Sequence, residues 1–289
     1  SYFTYPGIEP DNDIGSGHYY VLYNSQLKML FSLESKDWVK TDINIINDDN
    51  TAESIQQVEN ILLSIDIFDS HMIFKDIDNQ LKTFALGSPS ELTTIYKNPL
   101  KPIGYPTISA NNNKIAMVSG SVFKNNIYAM SLKNNEVSEI IASQFKLSVP
   151  QEVDNEISFT SDETGMNQIY SYSNNIRLQL TNFTKNKRIV HFTLSNDKQW
   201  LAISFTDSTV IYKRHDNGLS PVKTFPLMSY PAFSKNGERI LLTNLVKSGS
   251  ADSDDRQTWK KELVEFNVAD FSETGITIKN ALFGVYHDS

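Results

Sequence analysis

The chain has 289 residues, 26 Lys and Arg against 34 Asp and Glu, a net charge of −8 and no cysteine. The absence of cysteine excludes disulfides, zinc–thiolate sites and thiol catalysis. The acidic balance speaks against nucleic acid, whose binding is dominated by Lys and Arg neutralising phosphates, and no apolar run of about 18 residues is present to span a membrane.

The first residues are polar. Asp11-Asn12-Asp13-Ile14-Gly15 alternates oxygen ligands and ends in glycine, as calcium loops do, but the twelfth position, where a bidentate Glu belongs, is Leu22. It reads as a solvated loop. A hairpin is expected next, from His18–Tyr23 and Leu27–Leu33. In Thr51–Leu63, the residues Ala52, Ile55, Val58, Ile61 and Leu62 share one face at helical spacing, so a helix is expected there. Met72-Ile73-Phe74 and Leu81–Leu86 read as the third and fourth strands of a degraded unit, with inner strands near Ile45 and Ile61–Phe68.

From residue 105 onward the pattern repeats. Tyr105–Ser109, Val190–Ser195 and Tyr230–Ser234 are each followed by an Asn-, Asp- or Gly-bearing turn and a second apolar run. The pairs Ile127-Tyr128, Ile169-Tyr170 and Ile211-Tyr212 then recur every 42 residues, while Ile95-Tyr96 falls off that period. Each in-period pair opens another hairpin, turned at Asn134-Asn135, Asn174-Asn175 or Asn217-Gly218. Asn and Gly tolerate the positive φ of tight hairpin turns. Four short strands per 40-odd residues describe a blade of a β-propeller.

Clear blades cover residues 106–141, 149–181, 190–225 and 230–278, the last with an insertion at Lys247–Gln257. The C-terminal Ala281–His287 resembles an inner strand, and joined to the N-terminal outer hairpin it would close the ring as a composite blade. The expected fold is all-β, a single propeller domain over residues 1–289 built from four-stranded antiparallel blades. Six blades follow from this count, or seven if residues 34–70 hold another.

Phe159–Tyr170 contains a Ser-Asp, a Gly and then Gln-Ile-Tyr, followed by Leu178-Gln179-Leu180-Thr181-Asn182. Leu194–Leu201 and Phe233–Ile240 form hairpins of related sequence. Over about residues 105–245 these segments resemble the TolB-like propeller repeat. Where that repeat has Pro-Asp-Gly, this chain has Lys235-Asn236-Gly237, Asn196-Asp197-Lys198 or Asn111-Asn112-Asn113. The resemblance implies a propeller of the kind found in TolB, in prolyl-oligopeptidase-type enzymes and in periplasmic sensor domains of CadC-type membrane-anchored transcriptional regulators. It implies a periplasmic setting; a cysteine-free chain is equally compatible with the cytoplasm.

A catalytic motif is missing. The Gly-x-Ser-x-Gly nucleophile elbow is absent, and Gly15-Ser16-Gly17 and Ser119-Gly120-Ser121 read as turns. His18, His71, His191, His215 and His287 include no pair at zinc-ligand spacing, and the glycines form no nucleotide-binding fingerprint. Neither metal nor cofactor is expected. Binding residues are expected on the propeller face that gathers the loops between blades and the loops between second and third strands. The first set carries Tyr105, Arg188, His191 and Tyr230; the second carries Asp162, Glu163, Asp207 and Arg256. Aromatics with mixed charge suit a protein, peptide or small-molecule ligand. The expected function is a non-catalytic sensory or protein-interaction domain without direct nucleic-acid contact. The alternatives are a metal-dependent lyase- or lactonase-like propeller enzyme and the gating propeller of a prolyl-oligopeptidase-type peptidase.

Overall fold

The computed structural model describes residues 21–24, 29–35, 40–46, 52–59, 64–68, 71–76, 78–85, 88–97, 103–109, 114–120, 125–185, 187–215, 218–247 and 259–279. These residues form six four-stranded antiparallel sheets, each a simple meander of consecutive strands. The first comprises β1 (Val21–Asn24), β2 (Met29–Ser35), β3 (Lys40–Ile46) and β4 (Ala52–Glu59). The second comprises β5 (Ser64–Phe68), β6 (His71–Lys75), β7 (Gln80–Ala85) and β8 (Ser88–Lys97). The third holds β9 (Ile103–Ser109), β10 (Lys114–Gly120), β11 (Asn125–Ser131) and β12 (Val137–Ile141), and the fourth β13 (Leu147–Val153), β14 (Glu156–Ser161), β15 (Gln168–Ser173) and β16 (Ile176–Gln179). The fifth holds β17 (His191–Leu194), β18 (Trp200–Ser204), β19 (Ser208–His215) and β20 (Gly218–Pro226), and the sixth β21 (Met228–Phe233), β22 (Arg239–Lys247), β23 (Trp259–Asn267) and β24 (Glu273–Lys279).

Five of these sheets stand as propeller blades. The first strands β5, β9, β13, β17 and β21 pack on one another in succession. Between neighbouring blades, the described residues form four apolar layers. Ile73 and Leu81 meet Ile103, Ile115 and Met117; Val118 and Ile127 meet Leu147, Ile157 and Phe159. Val153 and Ile169 meet Phe192, Leu201 and Ile203; Ala202 and Ile211 meet Ile240, Leu242 and Val264. Each fully buried Ile, Leu or Phe contributes about 1.5–3 kcal/mol of transfer free energy, so the blades are held chiefly face to face. The N-terminal sheet instead meets its neighbour through the fourth strands, β4 against β8. The expectation of six or seven blades is corrected to five, because a blade must bring its first strand to the axis.

Three further expectations change. The N-terminal hairpin is completed by β3 and β4 rather than by the C-terminal strand, so the first sheet is not a composite; Ala281–His287 lies outside the described residues. Met72–Phe74 and Leu81–Ala85 are second and third strands, and Ile45 belongs to the first sheet. Most of Thr51–Leu63 is strand β4, not helix. Its register slips between Ile43↔Gln56 and Asn44↔Ser54, leaving Ile55 as an extra, bulged residue. That insertion shifts the strand's alternation by one, so Ile55 and Val58 sit three apart, as they would on a helix.

The repeat itself is structural. Ile127, Ile169 and Ile211 all lie on third strands and are fully buried, whereas Ile95 lies on a fourth strand. Asn174 and Asn175 both take positive φ, at 51° and 62°, as their hairpin turn requires. The turns after β17 and β21 are built alike. Ser195 and Ser234 accept the backbone N–H groups of Trp200 and Arg239, and Lys198 and Gly237 occupy the left-handed position at φ 60° and 73°.

Candidate functional site

Strands alternate in direction, so loops entering first strands share one end of the propeller with loops joining second to third strands. At that end the first strands carry a recurring irregularity. Tyr105-Pro106 lies opposite Met117 alone, Val149-Pro150 opposite Phe159 alone, and Tyr230-Pro231 opposite Leu242 alone. Proline has no N–H for the ladder, and a two-against-one bulge accommodates it at a sheet edge. Val149 and Tyr230 are forced to φ 50° and 51°, a conformation that disfavours L-residues by about 1–2 kcal/mol each. The first strands of the second and fifth sheets, β5 and β17, lack the proline; β17 begins at His191, in regular register with Ser204.

The first strands are also tied side by side. Thr107 Oγ1 donates to the Pro150 carbonyl, and Gln151 Nε2 donates to the Phe192 carbonyl. The Leu194 N–H donates to Gln151 Oε1 at 3.3 Å. These bonds tie β9 to β13 and β13 to β17.

Three of the expected residues meet at this mouth. The rings of His191 and Tyr230 lie 6.0 Å apart at 44°. His191 is deep within the protein, and burial alone pushes its imidazole down to about 4. It nevertheless keeps some accessible surface. Its ring is therefore neutral at pH 7. Burial raises the Tyr230 phenol, and the charge of Arg188 pulls it back. Arg188 is exposed, on the loop between β16 and β17. That loop is pinned by Gln168, whose Nε2 donates to the Phe183 carbonyl and whose Oε1 accepts the Phe183 N–H, both at 2.9 Å. Thr181 Oγ1 completes the anchor by donating to Gln168 Oε1 and accepting the Ile169 N–H.

The other expected residues are placed differently. Tyr105 sits in the first of the three bulges. Glu163 pairs with Arg177 at 2.7 Å, and Arg177 lies over the rings of Tyr170 and Phe159 at 4.6 and 5.1 Å. Enclosure beneath this pair, and then the hydrogen bond to Glu163, drive the Tyr170 phenol up to about 12. This carboxylate is engaged in local structure. Asp162 accepts the Lys146 N–H at 3.0 Å. Asp207 is exposed, and its carbonyl accepts the Leu227 N–H at 2.8 Å. Arg256, the charged insertion around it, and the Asp11–Gly15 and Gly15–His18 loops lie outside the described residues.

Two features escaped the sequence reading. Lys185, Lys187 and Arg188 form a short basic run, all exposed, in an otherwise acidic protein. The bulges were signalled by Pro106, Pro150 and Pro231; prolines at matching strand positions are legible once the repeat is aligned. Among the described residues, no three His, Asp or Glu side chains group as a metal site. No helix among them is long and apolar enough to cross a membrane.

No family model and no curated protein sequence matches the chain. Solved structures do. TolB from Acinetobacter baumannii aligns at TM-score 0.59 and 16% identity, over 90% of this chain and 63% of its own. An oligogalacturonate lyase from Vibrio parahaemolyticus aligns at TM-score 0.62 and 12% identity, over 89% of this chain and 76% of its own. A prolyl endopeptidase aligns at TM-score 0.61 and 9% identity, over 90% of this chain and 42% of its own. The chain thus spans less than two thirds of that TolB and less than half of that endopeptidase. At such identities the likeness establishes the fold, a TolB-like β-propeller.

Proposed function

We propose that this propeller is a non-catalytic recognition domain that binds a protein, peptide or small molecule at the mouth lined by His191, Tyr230 and Arg188. The observation that carries this reading is a backbone strained at Tyr230 that sets an aromatic ring against a neutral imidazole beside an exposed cation. Strain held in place by surrounding structure concentrates at binding and functional sites. The setting we assign is a sensory one, on the periplasmic side of a membrane-bound regulator of the CadC type. There the propeller would report ligand occupancy to a DNA-binding domain elsewhere in the protein, without itself touching nucleic acid.

Thermal-shift screening of the purified protein with peptides and small metabolites tests this. Ligands that raise the melting temperature of the wild type should lose their effect on His191→Ala and Tyr230→Ala, with both variants still showing β-sheet circular dichroism. Turnover of a polysaccharide or peptide substrate, abolished by one point substitution, would overturn the reading in favour of an enzyme.

A further inference from the structure

The loop that enters the mouth carries a basic run in this acidic chain. Lys185, Lys187 and Arg188 fall within four positions, and all three are exposed. None makes an ion pair among the described residues. Lys187 instead lies 4.9 Å above the Phe205 ring, which itself packs edge-on against Phe183 at 5.5 Å. Of the acidic residues at this end, Glu163 is neutralised by Arg177, the Asp162 carboxylate accepts a backbone N–H, and Asp207, though exposed, accepts the Ser208 hydroxyl at 2.9 Å. A guanidinium offers two parallel donors that match a carboxylate in its own plane. Tyr230 supplies a phenol and His191 an imidazole within the same cluster.

We infer that the mouth recognises a carboxylate, held by Arg188 with Tyr230 and His191 beside it and drawn in by Lys185 and Lys187. This rests on the reading of the mouth as the binding site and specifies its ligand chemistry. His191 is uncharged at pH 7, so the centre of the cluster carries one positive charge, that of Arg188. One charge matches a carboxylate monoanion better than a phosphate dianion. The source of the carboxylate is either a peptide C terminus or a free small acid.

The test uses the whole chain and four probes: random heptapeptides with free C termini, the same pool amidated, butyrate, and inorganic phosphate. Preferential retention of the free-carboxylate pool, reduced tenfold or more by Arg188→Gln and partly restored by Arg188→Lys, supports a peptide terminus. Binding of butyrate with the same Arg188 dependence and no preference between the pools supports a small acid. Equal retention of both peptide pools, lost on Tyr230→Ala but unaffected by Arg188→Gln, would leave the mouth as the site and overturn the carboxylate. Tighter binding of phosphate than of any carboxylate would overturn it too. No binding by any probe, to wild type or variants, would overturn both readings.

Discussion

At the scale of single residues, the informative positions are those whose environment opposes their chemistry. His191 is held neutral by burial, with its value near 4 instead of the ordinary 6.5. The unfolded chain therefore binds more protons than the folded one between those values. Stability is unaffected by this residue above pH 6.5 and falls as the pH drops from 6.5 toward 4, by roughly 3 kcal/mol over the whole window. Urea unfolding at pH 7 and pH 4.5 should show a smaller difference for His191→Asn than for the wild type. Leu227 presents a simpler conflict: it is 48% exposed and sits at φ 58°. Its side chain buries little, yet its backbone bears the left-handed penalty. Leu227→Asn keeps the N–H bonded to the Asp207 carbonyl and should stabilise the protein by about 0.5–1 kcal/mol, read as a higher urea midpoint at unchanged m-value.

At the scale of elements, the loop that carries Arg188 depends on a buried polar anchor, not on apolar packing alone. Gln168 and Thr181 are 1% and 5% exposed, and together they satisfy the Ile169 N–H and the Phe183 backbone. Thr181→Val preserves shape but strands a buried N–H and leaves Gln168 Oε1 with one partner fewer. A loss of about 1–3 kcal/mol is expected, with amide hydrogen exchange rising most in residues 181–190. Elements of this kind were legible where turn chemistry is explicit: Asn174-Asn175 and the Ser-bearing turns after β17 and β21 follow from their residues. Strand β4 was not legible as a strand, because the bulge at Ile55 reproduces helical spacing in an extended segment. Ile95 lies off the period for a plain reason, its place on a fourth strand.

At the scale of the molecule, local patterning announces strands and sheets, but not which sheets stand around the axis. A four-stranded set reads alike whether its first strand lines the axis or its fourth strand leans on a neighbour, so the blade count was misread while the architecture was recognised. The cluster of Arg188, His191 and Tyr230 was reachable from strand-start positions because the meander returns every first strand to the same end. The basic run beside it was obscured by the net charge of −8, an average that hides a local reversal. That contrast makes salt a diagnostic. Raising NaCl from about 0.05 to about 0.5 M shortens the Debye length several-fold. It should strengthen the fold, by screening self-repulsion in an acidic chain, while weakening carboxylate binding severalfold. Denaturation and titration at both salts would register these opposite signs. The prolines at positions 106, 150 and 231 act at this scale as well. A strand with a free inward edge invites any extended visitor to hydrogen-bond along it. An imino acid and a kink at the rim interrupt that edge, so a visiting segment is denied continuous backbone pairing there and must be discriminated by side chains, leaving it free to depart.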